Sequence, residues 1–244
     1  MSDPFVSVIV TAYNEGDCIQ STLGKITGYL RARFSRFEVI VVDDGSTDDT
    51  GGRVSEFAAR EPSVRLVAFS ENRGKGFVVR QGVLAARGDA VFFTDADLST
   101  PVEEIEKGLA GLEEGHPMVI ASRRHSASVI ALGQGRGREA VGRAFNRFVK
   151  SLLSLPFDDT QCGFKCFTGA AAREIFSLAR INGFAFDVEA IVIARSLGYR
   201  VYEIPVRWTN SPDSKVRPVR DLLFVLKDLL GIYWNEKKGL YKRR

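Results

Sequence analysis

Short apolar runs alternate with longer amphipathic segments through the first half of this chain. The run at residues 91–94 is too apolar for a surface loop and too short for a buried helix, which is typical of an inner strand in a parallel sheet. Helix signals occupy the segments between the apolar runs, so the pattern predicts right-handed strand-helix-strand units and a doubly wound, mostly parallel α/β fold. The predicted strands are residues 7–11, 37–42, 64–69, 91–94 and 118–122.

The helices are predicted from their ends and from the spacing of their apolar residues. Thr100-Pro101-Val102-Glu103 combines a capping box with proline at the first helical position, so a helix should start there. Residues 137–153 place apolar side chains on one side and basic ones on the other, and residues 221–234 are similar. Such a helix either packs on a core with a solvated back or lies on a membrane surface, and the pattern alone does not decide. The other predicted helices are residues 17–33, a segment ending near residue 60, and residues 76–86.

Composition and charge narrow the possible function classes. The 244 residues suit one large domain, and 26% charged with 45% hydrophobic residues is typical of a globular protein and not of a disordered one. No apolar run reaches the roughly 18 residues of a membrane-spanning helix, and no nucleic-acid-binding motif is present. The three cysteines form no metal-binding pattern, so we expect reduced thiols in a cytoplasmic protein. Two basic stretches could attract phosphate groups or anionic lipid: Arg123, Arg124, Arg136, Arg138, Arg143, Arg147 and Lys150 in mid-chain, and Lys237, Lys238, Lys242, Arg243 and Arg244 at the end.

Pairs of aspartates follow two of the predicted strands. Asp43 and Asp44 end the second strand, and Asp95 and Asp97 end the fourth. Because the carboxyl ends of parallel strands meet at one edge of a doubly wound sheet, these side chains should face one crevice. Asp95 and Asp97 could share a Mg²⁺ or Mn²⁺ that also binds a diphosphate, because hard cations prefer oxygen ligands. A solvated acidic turn and capping of the following helix are the structural alternatives.

Six short motifs follow one another along the chain: residues 7–15 (SVIVTAYNE), 41–46 (VVDDGS), 72–76 (NRGKG), 95–97 (DAD), 159–165 (DTQCGFK) and 185–189 (AFDVE). Together they resemble the family 2 glycosyltransferases with the GT-A fold, and among these the dolichyl-phosphate or polyprenyl-phosphate β-glucosyltransferases. The resemblance extends over nearly the whole chain. It implies a catalytic domain over residues 1–210, followed over residues 211–244 by an acceptor loop, an amphipathic helix and a basic tail.

The resemblance implies a binding site for a UDP-sugar donor. Asp95 and Asp97 would bind the metal, and Asp43 would contact the uracil or the ribose. Gly74 and Gly76 would let the backbone approach the nucleotide closely. The nucleotide-sugar residues implied in this way are Thr11, Tyr13, Glu15, Asp43, Asp44, Lys75, Asp95, Ala96 and Lys215.

The resemblance also implies a site for the acceptor. Arg123 and Arg138 match positions that resemble acceptor-phosphate ligands, and Arg136 could substitute for them, because the fork of an arginine suits a phosphate. Asp187 and Glu189 would orient sugar hydroxyls or act as a base. Favourable negative charge at a helix N-terminus is the structural alternative for these two carboxylates.

The activity implied is inverting, metal-dependent transfer of glucose from UDP-glucose to a dolichyl or polyprenyl phosphate. The mannosyl relatives have a glutamine that resembles a further metal ligand where this chain has Ser99. Several family members carry membrane-spanning helices, so this chain is expected either to dock peripherally on the cytoplasmic face of a membrane or to use a soluble acceptor. The alternatives are a GDP-mannose-dependent polyprenyl-phosphate mannosyltransferase, a family 2 transferase with a hydroxyl acceptor, and an inactive sugar-nucleotide sensor.

Overall fold

The computed structural model describes residues 3–132, 136–210 and 218–243, and it describes side chains outside residues 132–141 and 218–222. The strands within these residues are β1 (Val6–Ala12), β2 (Phe37–Asp43), β3 (Val64–Ala68), β4 (Ala90–Asp95), β5 (Met118–Ser122), β6 (Val129–Leu132), β7 (Lys165–Thr168), β8 (Val201–Pro205) and β9 (Arg207–Thr209). The first five agree closely with the five predicted strands.

One sheet contains seven of these strands, in the order β3-β2-β1-β4-β7-β5-β8, and β6 pairs with β9 separately. Every pairing in the large sheet is parallel except those of β7, which runs antiparallel between β4 and β5. The predicted fold class, a mostly parallel α/β sheet, is therefore confirmed. The antiparallel β7 is absent from the sequence prediction.

Helices cover both faces of the sheet and bury its inner strands. In β1, Val8 and Val10 pack on one helical layer, while Ile9 packs on the other. Because side chains alternate between the two faces, a strand covered on both sides needs apolar residues at every position. One layer holds α1 (Ile19–Arg33), α2 (Thr50–Arg60) and α4 (Ile105–Glu113), and the other holds α3 (Lys75–Ala85), α5 (Arg136–Leu153), α6 (Gly169–Leu178), α7 (Phe186–Ser196) and α8 (Pro218–Lys237).

The helix predicted to start within residues 100–103 is present, but the predicted capping box and the proline at the first helical position are not. A short 3₁₀ helix, Val102–Glu104, leads into α4, and Pro101 is its N-cap residue without a side-chain cap hydrogen bond. Pro101 is extended, with ψ at 147°, so it precedes the helical turn instead of joining it. Thr100 therefore lies one residue before the cap position, where it is buried.

The C-terminal helix α8 packs against the same core as the rest of its layer. Its Val225, Leu229 and Ile232 are buried in one apolar cluster with side chains of α3 and α7. Their spacing of four and three residues places them on one face of the helix. The division of the chain at residue 210 stays a prediction. Among the helices that the structure describes, none is both long and apolar enough to cross a membrane.

Strand β1 lies where the order of the parallel strands reverses. Its neighbours are β2 and β4, and the register aligns Ala12 with Asp43 and Thr11 with Asp95. The two acidic strand ends therefore lie on either side of β1, at one edge of the sheet. In open α/β sheets this edge forms the crevice that binds ligands.

Candidate active site

Asp95 and Asp97 lie at the carboxyl end of β4, and neighbouring groups orient both carboxylates. Thr11 Oγ1 donates to Asp95 Oδ1 at 3.4 Å from the adjacent strand. Gly163 packs against the other oxygen, since a Cβ atom added there would lie 2.3 Å from Asp95 Oδ2. Ser99 donates to Asp97 from its backbone N–H at 2.9 Å and from its hydroxyl at 3.0 Å. Ser99 thus holds the second carboxylate in place.

Lys75 brings a positive charge to the same carboxylates. It begins α3, and its Nζ lies 2.7 Å from Asp95 Oδ1. Burial alone would lower the pKa of Lys75, but the charges of Asp95, Asp187 and Asp97 outweigh it and raise this pKa. Lys75 therefore stays protonated beside the candidate metal ligands.

The two carboxylates fit a divalent cation. Burial, and then repulsion from the charge of Asp95, raises the pKa of Asp97. The two groups therefore lie close enough to repel each other, and a cation between them would relieve this repulsion. No third acidic, histidine or cysteine side chain completes a metal-binding group with them in the part of the chain that the structure describes. Such a pair suits a cation whose remaining ligands are phosphate oxygens and water.

The glycine-rich turn before α3 packs against protein. Asp44 accepts hydrogen bonds from the N–H groups of Arg73 at 2.7 Å and Gly74 at 2.9 Å, so it holds this turn. A Cβ atom on Gly74 or Gly76 would lie 2.5 Å from a carbonyl oxygen of residues 181–182. These contacts give the two glycines a structural reason, because a side chain there would collide with residues 181–182, and their close approach to a nucleotide stays a prediction.

Asp43 shapes the turn at the end of β2. It is buried, and its Oδ1 accepts the N–H of Ser46 at 3.0 Å. The carboxylate that accepts an N–H at the start of α2 is that of Asp48, 3.0 Å from Thr50 N. Asp43 therefore does not cap α2, and its predicted contact with a ligand in the crevice stays a prediction.

The other predicted donor residues lie around the end of β1. Tyr13 is 38% exposed there. The N–H of Glu15 donates to Thr50 Oγ1 at 2.8 Å, which connects this loop to α2. Ala96, which lies between Asp95 and Asp97, is buried, and its carbonyl oxygen accepts a hydrogen bond from Thr22 Oγ1 at 2.6 Å. Lys215 lies outside the described residues.

Asp187, in the first turn of α7, forms a buried ion pair with Lys165 of β7. Lys165 has no exposed surface, and its Nζ donates to Asp187 Oδ1 at 2.5 Å and to the carbonyl of Cys162 at 2.8 Å. Burial raises the pKa of Asp187, while the charges of Lys165 and Lys75 oppose this rise. A carboxylate held in this way can accept hydrogen bonds from a ligand without first having to be ordered.

Glu189 faces away from the crevice. Residues two apart in a helix differ by about 200° in direction, so Asp187 and Glu189 lie on nearly opposite sides of α7. Glu189 has no exposed surface, and it accepts hydrogen bonds from the N–H groups of Arg180 and Ile181 and from the hydroxyl of Tyr241. Burial raises its pKa. The expectation that Glu189 orients a sugar or acts as a base is therefore wrong, because this carboxylate is enclosed by the protein.

Arg123 is held firmly at the end of β5. Its Nε and one terminal nitrogen donate to Asp159 at 2.6 and 2.9 Å, and its guanidinium lies 5.5 Å from the centre of the Trp208 ring. Burial would lower the pKa of Arg123, but Asp159 raises it above its ordinary value. Since the two bonds to Asp159 engage two of five N–H donors, the guanidinium can also bind a phosphate.

The start of α5 lies close to the end of β5. A Cβ atom added at Gly142 would lie 3.3 Å from a terminal nitrogen of Arg124. Arg136 and Arg138 lie in the first turn of α5, but their side chains are outside the description. The acceptor role of Arg136 and Arg138 stays a prediction.

Comparison with known proteins identifies the family. A model described as "Glycosyl transferase family 2" matches residues 7–176. The chain belongs to glycosyl transferase family 2. Among its relatives is the "Dolichyl-phosphate beta-glucosyltransferase" of Homo sapiens, 37% identical over 250 residues that cover 97% of this chain and 77% of that protein. The protein of the same name from Dictyostelium discoideum is 33% identical over 250 residues, covering 98% of this chain and 76% of that protein. The enzyme is therefore a glycosyltransferase.

Solved structures with low sequence identity share the fold of this glycosyltransferase. The glucosyl-3-phosphoglycerate synthase of Mycobacterium tuberculosis, in complex with Mn²⁺, UDP and glucosyl-3-phosphoglycerate, has a TM-score of 0.69 at 20% identity, over 99% of this chain and 81% of that chain. The mannosyl-3-phosphoglycerate synthase of Rubrobacter xylanophilus has a TM-score of 0.71 at 19% identity, over 99% of this chain and 77% of that chain. These similarities confirm the GT-A fold.

The sequence prediction assigned no role to three residues that shape the site of this glycosyltransferase. Lys165 pairs with Asp187, Asp159 holds Arg123, and Gly163 makes room for Asp95. All three unassigned residues belong to the motif at residues 159–165. Lys165, among apolar neighbours at the end of that motif, is a signal that could have predicted an ion pair, because a buried lysine requires a partner of opposite charge.

Proposed function

We propose that this glycosyltransferase moves glucose from UDP-glucose to a dolichyl or polyprenyl phosphate and forms a β-linked product. The observation that carries the proposal is the crevice at the ends of β1, β2 and β4, where Asp95 and its partner Lys75 lie near the buried Asp187. The names of the human and Dictyostelium relatives support glucose as the sugar and a dolichyl phosphate as the acceptor.

On the donor side, Asp95 and Asp97 would bind Mg²⁺ or Mn²⁺, and Lys75 would add a further positive charge beside them. The metal, when bound, supplies charge that stabilises the diphosphate leaving group. Asp187 would accept hydrogen bonds from sugar hydroxyls, and Lys165 would keep that carboxylate in place. The Mycobacterium tuberculosis synthase, which shares the fold and was solved with Mn²⁺ and UDP, supports a divalent cation.

On the acceptor side, the environments of Asp187 and Glu189 favour a phosphate nucleophile over a hydroxyl nucleophile. A hydroxyl acceptor requires a base, but Glu189 is enclosed and Asp187 is paired with Lys165. A phosphate monoester, with a second pKa of about 6, is largely dianionic at neutral pH and needs no base. Its oxygen would bond to the anomeric carbon from the face opposite UDP as the bond to the UDP oxygen breaks, which inverts the configuration. Arg123, Arg136 and Arg138 would bind this phosphate, and Lys215 would contact the donor.

An exposed stripe on α8 supports peripheral binding to a membrane surface, where a lipid phosphate is accessible. Leu223, Leu230 and Trp234 are 72%, 50% and 58% exposed. They recur at helical spacing, and Lys227 lies on the same stripe. An apolar stripe with lysine among its members is typical of a helix that lies in a lipid interface.

The proposal is tested by incubating the purified chain and Mn²⁺ with radiolabelled UDP-glucose, GDP-mannose or UDP-N-acetylglucosamine. Each donor is offered vesicles that contain polyprenyl phosphate, or 3-phosphoglycerate in solution. We expect label in the lipid extract from UDP-glucose alone, in a form released by mild acid. Label from GDP-mannose would support the mannosyltransferase alternative, and label on 3-phosphoglycerate would support a soluble acceptor. Nucleotide-sugar binding without transfer to either acceptor would support the sensor.

A further inference from the structure

The buried Glu189 joins the C-terminal tail to a loop beside the donor crevice. Glu189 Oε2 accepts the N–H groups of Arg180 at 2.9 Å and Ile181 at 2.8 Å. Its Oε1 accepts the hydroxyl of Tyr241 at 2.7 Å, and Tyr241, like Glu189, has no exposed surface. A charged acceptor makes stronger hydrogen bonds than a neutral one, and leaving a buried carboxylate short of a donor is costly. Tyr241 and the 180–181 backbone are therefore coupled through one carboxylate.

The loop held by Glu189 in turn positions the start of α3. The carbonyl of Asn182 accepts the N–H groups of Gly76 at 2.8 Å and Phe77 at 3.2 Å. A Cβ atom on Gly76 would lie 2.5 Å from the carbonyl of Ile181, so the two backbones touch directly. Lys75, the first residue of α3, lies immediately before these amides. A displacement of the loop would therefore move Lys75 relative to Asp95.

The tail reaches Glu189 because the chain reverses after α8. Gly239 has φ at +68°, a conformation that favours glycine, and the residues after it fold back toward α7. Asn235 Nδ2 donates to the Tyr241 oxygen at 3.1 Å, which leaves the Tyr241 proton directed to Glu189. Arg243 forms a second attachment, donating to both oxygens of Glu174 on α6 at 2.6 and 3.0 Å.

From these contacts we infer that the C-terminal tail positions Lys75, the donor-binding lysine. The connection is a chain of contacts that runs from Tyr241 through Glu189 and the loop at residues 180–182 to the start of α3. Tyr241 and Glu189 are positioning residues that touch no substrate. The inference rests on the proposed function only in that Lys75 binds the donor diphosphate. It gives residues 239–243 a role in sugar-nucleotide binding, beyond the basic tail that the sequence predicts.

Amide hydrogen exchange tests this chain of contacts, from Tyr241 to the start of α3, without any ligand. The variant is Tyr241→Phe, which removes the hydroxyl and keeps the ring. We expect faster exchange in peptides that contain residues 74–78 and 180–184, and unchanged exchange in a peptide from β2. Tyr202→Phe, a change at a 41% exposed tyrosine of β8, is the matched control and should leave all three peptides unchanged. Exchange in the 74–78 peptide that equals wild type, with the variant folded, would overturn the inference.

Calorimetric titration with UDP-glucose and Mn²⁺ tests the functional consequence. We expect Tyr241→Phe to raise the Kd about fivefold, as expected for a partial loss of a charge-assisted contact. In a Lys75→Gln background the same change should have almost no further effect, because residues that act through one another are not additive. Equal effects of Tyr241→Phe in both backgrounds would show a purely structural role and overturn the inference.

If Tyr241→Phe does not fold, Glu189→Gln replaces it. The glutamine amide oxygen can accept both backbone N–H groups, but the amide nitrogen cannot accept the Tyr241 hydroxyl, so this variant should give the same pattern of exchange. If wild-type protein binds no UDP-glucose, the proposed function fails, and the exchange result still shows whether Tyr241 is coupled to the start of α3. If wild type and Tyr241→Phe bind UDP-glucose equally, the inference fails while the proposed function stands.

Discussion

The two halves of the sheet bring charged residues to the crevice in different ways. On either side of β1, the acidic residues lie at the ends of the parallel strands β2 and β4, so their placement follows from the alternation of strands and helices. Around β5 and β7 the charges are placed by ion pairs between distant segments, Arg123 with Asp159 and Lys165 with Asp187. Substitution of Asp97, in the first arrangement, should leave folding intact, whereas substitution of one member of an ion pair in the second should not.

Breaking the Lys165–Asp187 pair should have the largest effect on stability. Lys165→Met leaves a buried carboxylate without its partner, and we expect a loss of about 3–5 kcal/mol in the free energy of unfolding, measured with urea. The exposed Lys25 provides the matched control, since Lys25→Met should change stability by less than about 0.5 kcal/mol. A Lys165→Met/Asp187→Leu variant should regain most of the stability without activity. An equally stable Lys165→Met protein would contradict the importance of the pair.

The same variant should show a characteristic pH dependence. Burial raises the pKa of Asp187 and Lys165 opposes this rise, so removal of Lys165 should raise the pKa further. A carboxyl with a folded pKa above its unfolded value favours folding at low pH, and this contribution is lost as pH rises from the unfolded pKa through the folded pKa. The stability deficit of Lys165→Met should therefore grow from about pH 4 toward neutral pH. A deficit that shrinks with rising pH would contradict this assignment of charge.

Asp97→Asn, just after the end of strand β4, should remove most of the activity and leave the fold intact. Loss of one anionic ligand weakens binding of the cation and the diphosphate together, so we expect turnover to fall by about 100-fold or more at limiting Mg²⁺ or Mn²⁺. Glu56→Gln, at a side chain that is 64% exposed on α2, is the control. Wild-type activity of Asp97→Asn at limiting metal, or a large drop in its melting temperature, would remove the contrast between the two halves.

Part of this architecture follows from the sequence. All five predicted strands appear. Strands β1, β4 and β5 are runs whose residues are nearly all buried, β5 (Met118–Ser122) has the predicted bounds, and β3, at the edge of the sheet, is only partly buried. Strand β7 escapes prediction because it is four residues long and begins with Lys165, whose charge is compensated by Asp187 of another element. The opposite directions of Asp187 and Glu189 follow from helical geometry once α7 is known. The covering of Glu189 by Tyr241, 52 residues away, has no local signal.

Arg138→Ala tests the acceptor side with a smaller expected effect. It should raise the KM for polyprenyl phosphate about tenfold while changing the KM for UDP-glucose little, because a desolvated contact between arginine and phosphate contributes a few kcal/mol at most. Arg60→Ala, on an exposed side chain of α2, is the control. Equal increases in both KM values would remove Arg138 from the acceptor site.

The smallest expected effect concerns membrane binding. Full-length protein should co-sediment with anionic vesicles, and higher salt should release part of it, since each lysine or arginine near the surface contributes about 1 kcal/mol. Trp234→Ala should weaken binding about fivefold at either salt concentration through lost apolar contact. Leu84→Ala, at a residue of α3 that is 43% exposed, should have no effect. Absence of sedimentation under every condition would favour a soluble acceptor.

The central claim, that the ends of β1, β2 and β4 bind the donor, is tested most directly by a crystal structure with Mn²⁺ and UDP-glucose. We predict that the cation binds Asp95 and Asp97, that Lys75 contacts the diphosphate, and that the glucose hydroxyls donate to Asp187. Nucleotide bound elsewhere on the molecule, or a cation that leaves both aspartates free, would contradict the account.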